Sequence, residues 1–196
     1  MTQTLETLQQ HFRKFSKIAA ATGSRSEPIA QMLDALGERI IMCPATLQEH
    51  EGWSEPGGLI RMSIEVTGTM RTLAAALDMD HIPTESIVMS GLFHAIGMVG
   101  SVETPYLLDQ DSDWHRKQGR LYRYNEALPK VPIAHRSLQL LQHWGVKLTP
   151  EEWVAIAVAG GPQREENRFY VGSEPALAVL LTQARQWVYR NSSSSV

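Results

Sequence analysis

The sequence predicts an all-α protein, a bundle of six or seven helices interrupted by one long ordered loop or small hairpin insertion. Three observations carry that prediction. Apolar residues return at three- and four-residue spacing through most of the chain, the repeat that gathers them on one helical face. The repeats are punctuated by serine or threonine starts with an early proline, and by glycine stops. Between Ser101 and Pro132 the helical repeat disappears, and two short strand-like runs take its place.

Taken in order, Leu5, Leu8, Phe12, Phe15 and Ile18 predict a first helix ending near Gly23. Ser26 before Glu27-Pro28 predicts the cap and start of a short second helix that uses Ile29, Met32, Leu33 and Leu36 and ends between Gly37 and Ile41. From Ile41 to Gly58 there is no sustained period, so an ordered loop is expected. Leu59, Met62, Val66, Met70, Leu73 and Leu77 then predict a long helix to about Met79. Pro83-Thr84 starts the helix that carries Ile87, Leu92, Phe93, His94 and Ile96, with Gly97 and Gly100 as its stop. In the aperiodic stretch, 106–108 and 121–124 flank the polar 109–113 and suggest a hairpin or an ordered loop over the helices. A stretch this long in a compact domain is a place to expect ligand or partner contacts.

Another helix is expected from about Ala134 to Trp144, ended by Gly145. Thr149-Pro150-Glu151-Glu152 is a capping box for the helix through Trp153 and Ile156, which stops at Gly160-Gly161-Pro162. Ser173-Glu174-Pro175 opens the last helix, with Leu177, Leu180, Leu181, Ala184, Trp187 and Val188 as its apolar face. Trp153 and Trp187 are both expected in the core. The expected organisation is a helix in 1–25 packed on or leading into the domain, a helical domain over 26–190 and a disordered tail at 191–196.

Composition narrows the function classes. With 43% hydrophobic and 20% charged residues and a net charge of −3, the chain reads as an ordinary soluble domain without the basic face that a main nucleic-acid partner needs. A lone cysteine, Cys43, cannot form an intrachain disulfide, which points to a reducing compartment. With no leader-like or membrane-spanning apolar run, a cytoplasmic location and no membrane partner are expected. A Gly-x-Ser-x-Gly elbow, a Gly-rich phosphate loop and paired-cysteine zinc spacing are all missing. Asp109, Asp111 and Asp113 alternate like a calcium loop, but the glycine at the sixth position and the glutamate at the twelfth are lacking.

Several segments, in order, carry a resemblance. They are Pro44-Ala45-Thr46 with His50 and Gly57-Gly58-Leu59; Leu92-Phe93-His94-Ala95-Ile96-Gly97; Tyr122 to Pro129; His135-Arg136-Ser137-Leu138; Thr149 to Gly161; and Glu174-Pro175-Ala176-Leu177 with Leu180-Leu181. Over roughly 30–190 the chain resembles the His-Asp (HD) phosphohydrolase superfamily, in the branch seen in phage and conjugative-element proteins. The resemblance implies a compact HD-domain-like bundle whose metal site uses a histidine after the Gly-Gly-Leu turn, a His-Asp pair, a later histidine and an aspartate on the last helix. Here those positions hold Met62, His94-Ala95, Ala159 and Arg185.

That exchange changes the expected chemistry. An arginine ~4 Å from a divalent ion, at an effective dielectric of ~20, would oppose binding by about 8 kcal/mol. Such a penalty is about a millionfold in affinity, before the lost ligands are counted. The expectation is therefore a catalytically degenerate HD-fold protein, a pseudoenzyme with no metal cofactor. It would bind a nucleotide or another phosphate-bearing small molecule, or serve as an interaction module through a protein partner or self-association. Candidate ligand-binding residues are His50, His94, His135, Arg136 and Arg185, because arginine forks onto phosphate oxygens without a metal. Two other readings stay open. His94 is a partly buried histidine bonded to a neighbouring carbonyl or water and Arg185 is a solvated helix residue; or a phosphohydrolase of nucleotides or phosphodiesters persists on His94 and His135, in a site remodelled around a divalent metal or independent of one.

Overall fold

Helix α1 (Leu5–Ala19) starts where the Thr4 hydroxyl accepts a hydrogen bond from the Thr7 amide, and it buries Leu8, Phe15 and Ala19. The computed structural model describes residues 4–192. Helix α2 (Ser26–Met42) is longer than the sequence suggests, because Gly37 takes φ 49° and ψ −128° and the helix resumes beyond a kink. Only glycine takes such angles without strain, so the residue expected to end the helix bends it instead. Ser26 lies inside α2, and the residue before it makes no capping bond.

Helix α3 (Gly58–Ala76) leads to α4 (Thr84–Phe93), the axis of the fold. Every residue of α4 from Ser86 to Phe93 is buried, and the helix packs against α1, α3, α7 and α8. A helix apolar all round belongs in the middle of a core. Phe15 meets Phe93 edge-on at 5.7 Å between ring centroids, which makes α1 part of that same core. Gly91 sets the α3–α4 spacing: a Cβ there would lie 2.5 Å from the Thr67 hydroxyl oxygen and 2.9 Å from its Cα.

The excursion between α4 and the next core helix is a hairpin with a helix at its tip. Strand β1 (Leu107–Asp109) pairs antiparallel with β2 (Tyr122–Tyr124), with Leu108 opposite Arg123. The five-residue α5 (Asp113–Lys117), capped by Ser112, starts at the end of the polar 109–113 and is not expected from the sequence. Helix α6 (Ile133–His143) then returns the chain to the core, followed by α7 (Pro150–Ala157) and α8 (Ala176–Ser192). Asn191 and Ser192, expected in the tail, continue α8, and the rest of that stretch, 193–196, lies outside the described residues. Between α7 and α8 an unanticipated 3-10 segment spans Glu165–Tyr170.

The Thr149 capping box is present with both of its reciprocal bonds. Its glutamate also does more than cap. Glu152, fully buried, receives Arg25 at 2.6 Å, the Ser86 hydroxyl at 2.8 Å and the Thr149 amide at 2.9 Å, tying the α2 entry, α4 and α7 together.

Two tryptophans expected in the core lie at the surface: Trp153 is 45% and Trp187 64% exposed. On α8 the buried stripe runs through Leu177, Leu181, Ala184 and Val188. At ~100° per residue, Trp187 falls about 80° to one side of that stripe. Arg185 falls about 80° to the other side, with Tyr189 one turn beyond it. Among the described residues, no helix is long and apolar enough to cross a membrane.

Candidate functional site

His94 closes α4, and its backbone is still helical at φ −56° and ψ −28°. Ala95 breaks the helix at φ −117°, earlier than the glycines downstream would suggest. The chain turns through a 3-10 segment, Ile96–Val99, that lies directly on α6. Gly97 permits this contact rather than stopping the helix, for a Cβ there would come within 2.6 Å of both the Ile133 carbonyl oxygen and the Ser137 nitrogen. Ser137 secures the turn: its hydroxyl accepts from the Gly97 amide at 2.9 Å and lies 3.0 Å from the carbonyl oxygens of His94 and Ile133.

This turn forms one wall of a cavity of about 550 Å³. Several elements meet around it. His94, Ala95 and Met98 come from the α4 end, Ala157, Ala159 and Gly160 from the end of α7, and Arg185 and Tyr189 from the flank of α8. The excursion adds Tyr106, Tyr124 and Lys130, and the 3-10 segment before α8 adds Glu166 and Asn167, with Arg164 just ahead of it. Three cations thus face one carboxylate in a chain whose overall charge is −3. A cleft of one sign between low-dielectric walls concentrates counter-ions, here anions.

The protonation of His94 follows from its surroundings. The residue is 2% exposed, and its Nδ1 lies 2.9 Å from the Gly91 carbonyl oxygen. A carbonyl can only accept, so Nδ1 carries the hydrogen and Nε2 presents a lone pair. Burial, then the Arg185 charge, lower the imidazole to about 3, against the smaller opposing pull of the Gly91 and Ser90 carbonyls. His94 is therefore neutral at physiological pH. Its Nε2 is buried with no hydrogen-bond partner, and so is Nε of Arg185.

The other walls are braced from behind. Tyr106 and Tyr124 stack at 4.8 Å between centroids, and the Arg136 guanidinium lies 4.1 Å over the Tyr106 ring while donating to the Pro129 carbonyl at 2.5 Å. Burial holds the Tyr124 phenol above its ordinary value, so it remains a donor. Asn167 donates to the Val158 and Gly161 carbonyls at 3.1 and 2.8 Å, which holds the turn that carries Ala159.

Of the five expected ligand-binding residues, His94 and Arg185 share this cavity. Arg136 supports its aromatic wall from outside, on α6. His50 lies exposed in a 3-10 turn at Glu49–Glu51, and the half-buried His135 on the first turn of α6 is also off the cavity lining, so the expected grouping of three histidines is not formed. Sequence reasoning missed Lys130, Arg164, Glu166 and Asn167, none of which belongs to a periodic or motif-bearing stretch. Of the five implied metal-ligand positions, 94, 95, 159 and 185 line the cavity, while Met62 is fully buried.

The donor set does not fit a divalent ion. One neutral imidazole and one carboxylate, Glu166, among three cations fall short of the three or more carboxylate and nitrogen ligands that such a site uses. Among the described residues, no three His, Cys, Asp or Glu side chains group to hold a metal. Cys43 offers no nucleophile either, since burial pushes its thiol up to about 12. No protein-family model, curated protein or solved structure matches the chain.

Proposed function

We propose that this protein is a metal-independent binding module for a phosphate-bearing small molecule of nucleotide size, built on a degenerate HD-type helical core. One observation carries the reading: His94, Ala95, Ala159 and Arg185, from three separate helix ends or flanks, face a single cavity with Lys130 and Arg164. A cavity of about 550 Å³ falls in the ~300–1,000 Å³ range of small-molecule sites. Arginine supplies planar donors to phosphate oxygens, and the tyrosines supply an apolar face with polar tips. Where the resemblance implies a cation, this chain carries its own positive charge.

A hydrolase relying on His94 and His135 is less well supported, because His135 is not on the cavity wall among the described residues. The reading is tested by titrating the protein calorimetrically with AMP, ADP and ATP in EDTA. Saturable binding that weakens at least tenfold in Arg185→Ala is expected. Failure of all three nucleotides to bind would sink the proposal, as would turnover near ~1 per second, an ordinary enzymatic rate, that disappears in His94→Ala.

A further inference from the structure

Resting on that reading, we infer that the cavity selects a phosphate group that still carries one proton, with the P–O–H donating to Nε2 of His94 and the charged oxygens accepting from Arg185. Two orphan atoms of opposite hydrogen-bonding sense belong to residues of this site. Nε2 of His94 is a buried acceptor without a donor, and Nε of Arg185 is a buried donor without an acceptor. Both residues line the same cavity. Buried polar atoms in native proteins nearly always find partners, so two orphans of opposite sense on residues that line one cavity point to a ligand that completes them.

The polarity of His94 is locked. Its Nδ1–H is held by the Gly91 carbonyl, so the ring cannot change tautomer to offer Nε2–H without losing that bond. Among the described residues, the one charged side chain whose field acts on the imidazole is Arg185, and it disfavours protonation. A fully ionised oxyanion would therefore meet Nε2 lone pair to lone pair. A phosphate monoanion brings both a hydroxyl donor and anionic acceptors in one tetrahedron. Sulfate, alike in shape but without a proton at neutral pH, cannot.

The competing effect has the opposite sign, which makes the inference testable. Lys130, Arg164 and Arg185 would by charge alone favour the dianion, and Glu166 is the acid on the same wall. If charge decides, binding tightens as pH rises through the second phosphate ionisation near ~6; if His94 decides, it weakens. With that ionisation at ~6, the monoanion falls from about half of a phosphomonoester at pH 6 to about one hundredth at pH 8, a loss of roughly fiftyfold.

The experiment is calorimetric titration of the full chain with AMP at pH 6, 7 and 8, and with inorganic phosphate and sulfate at pH 6. The expected result is AMP affinity falling about fiftyfold across the range, and sulfate binding on the order of ten- to a hundredfold more weakly than phosphate, as an unmet buried acceptor implies. Glu166→Gln should leave the slope in place. His94→Asn, whose amide nitrogen replaces Nδ1 and whose side chain lacks Nε2, should bring sulfate and phosphate within a few-fold of each other. Sulfate equal to phosphate on the wild-type protein, or AMP tightening with pH, overturns the inference and leaves the binding module standing. No binding of any probe at any pH overturns both. The wild-type profiles decide the matter even if His94→Asn does not fold.

Discussion

The neutral state of His94 can be tested through stability, without any ligand. In the unfolded chain the imidazole takes up a proton at the ordinary 6.5, and in the folded protein only near about 3. A depressed folded value means that below 6.5 the unfolded state binds more protons, so stability falls as pH falls through that window and levels off near 3. Between pH 7 and pH 5 the linkage amounts to about 2 kcal/mol, and its full extent is limited to about 5 kcal/mol. Other groups titrate in the same interval, so the informative quantity is the difference between the wild type and His94→Asn, which has nothing to titrate at that position. Urea unfolding followed by far-ultraviolet circular dichroism at pH 7 and pH 5 measures it. With a urea dependence of ~2 kcal/mol per molar, the wild-type midpoint should drop about 1 M further than that of the variant. The variant should start lower at pH 7, because it loses packing at a buried site, yet show the shallower acid limb. Equal midpoint shifts in the two proteins would mean that His94 accepts its proton in the folded state, and the description of Nε2 as a fixed acceptor would fail.

Two further outcomes follow from the packing and from the site. Glu152→Gln removes the charge from a fully buried carboxylate with three donors, and should destabilise by about 3–5 kcal/mol, as breaking a buried pair does. Glu151→Gln, on an exposed position of the same turn, should stay within about 0.5 kcal/mol; thermal melts of the two variants that coincide would refute the staple. In the second case, Ala95→Asp combined with Arg185→Asp places two carboxylates beside the His94 imidazole on the cavity wall. Calorimetry with manganese should then detect binding at least tenfold tighter than in the parent, and an unchanged titration would reject 95 and 185 as positions able to hold a metal.

Much of the helical framework was legible because helix formation is written locally. The capping box at Thr149 to Glu152, the apolar repeat of α3 and the proline before α4 need no distant partner to be read. Local reading failed where a residue had two possible jobs. Gly37 and Gly97 looked like stops, but one kinks α2 through its own backbone angles and the other lets a turn lie against α6, where Ile133 and Ser137, distant in sequence, leave no room for a side chain. The tryptophans failed for a related reason. Size and hydrophobicity favour burial, but Val188 takes the core position on α8 and leaves Trp187 at the edge of the stripe.

The candidate site divides along the same line. Sequence alone determined that the chain is helical, that an apolar helix carries His94, and that Ala95, Ala159 and Arg185 stand where the resemblance implies metal ligands. Those are statements about residue identity and period. Tertiary structure decided that His94 and Arg185 share one open cavity while His50 and His135 do not line it, and that Lys130 and Arg164 join the wall. It also set the tautomer of His94, through a carbonyl three residues back that becomes a partner only when α4 ends where it does. The physical reason is that charge and hydrogen-bond sense at a site depend on what is excluded from it. Exclusion of water is a property of the packed helices together, and no single segment carries it.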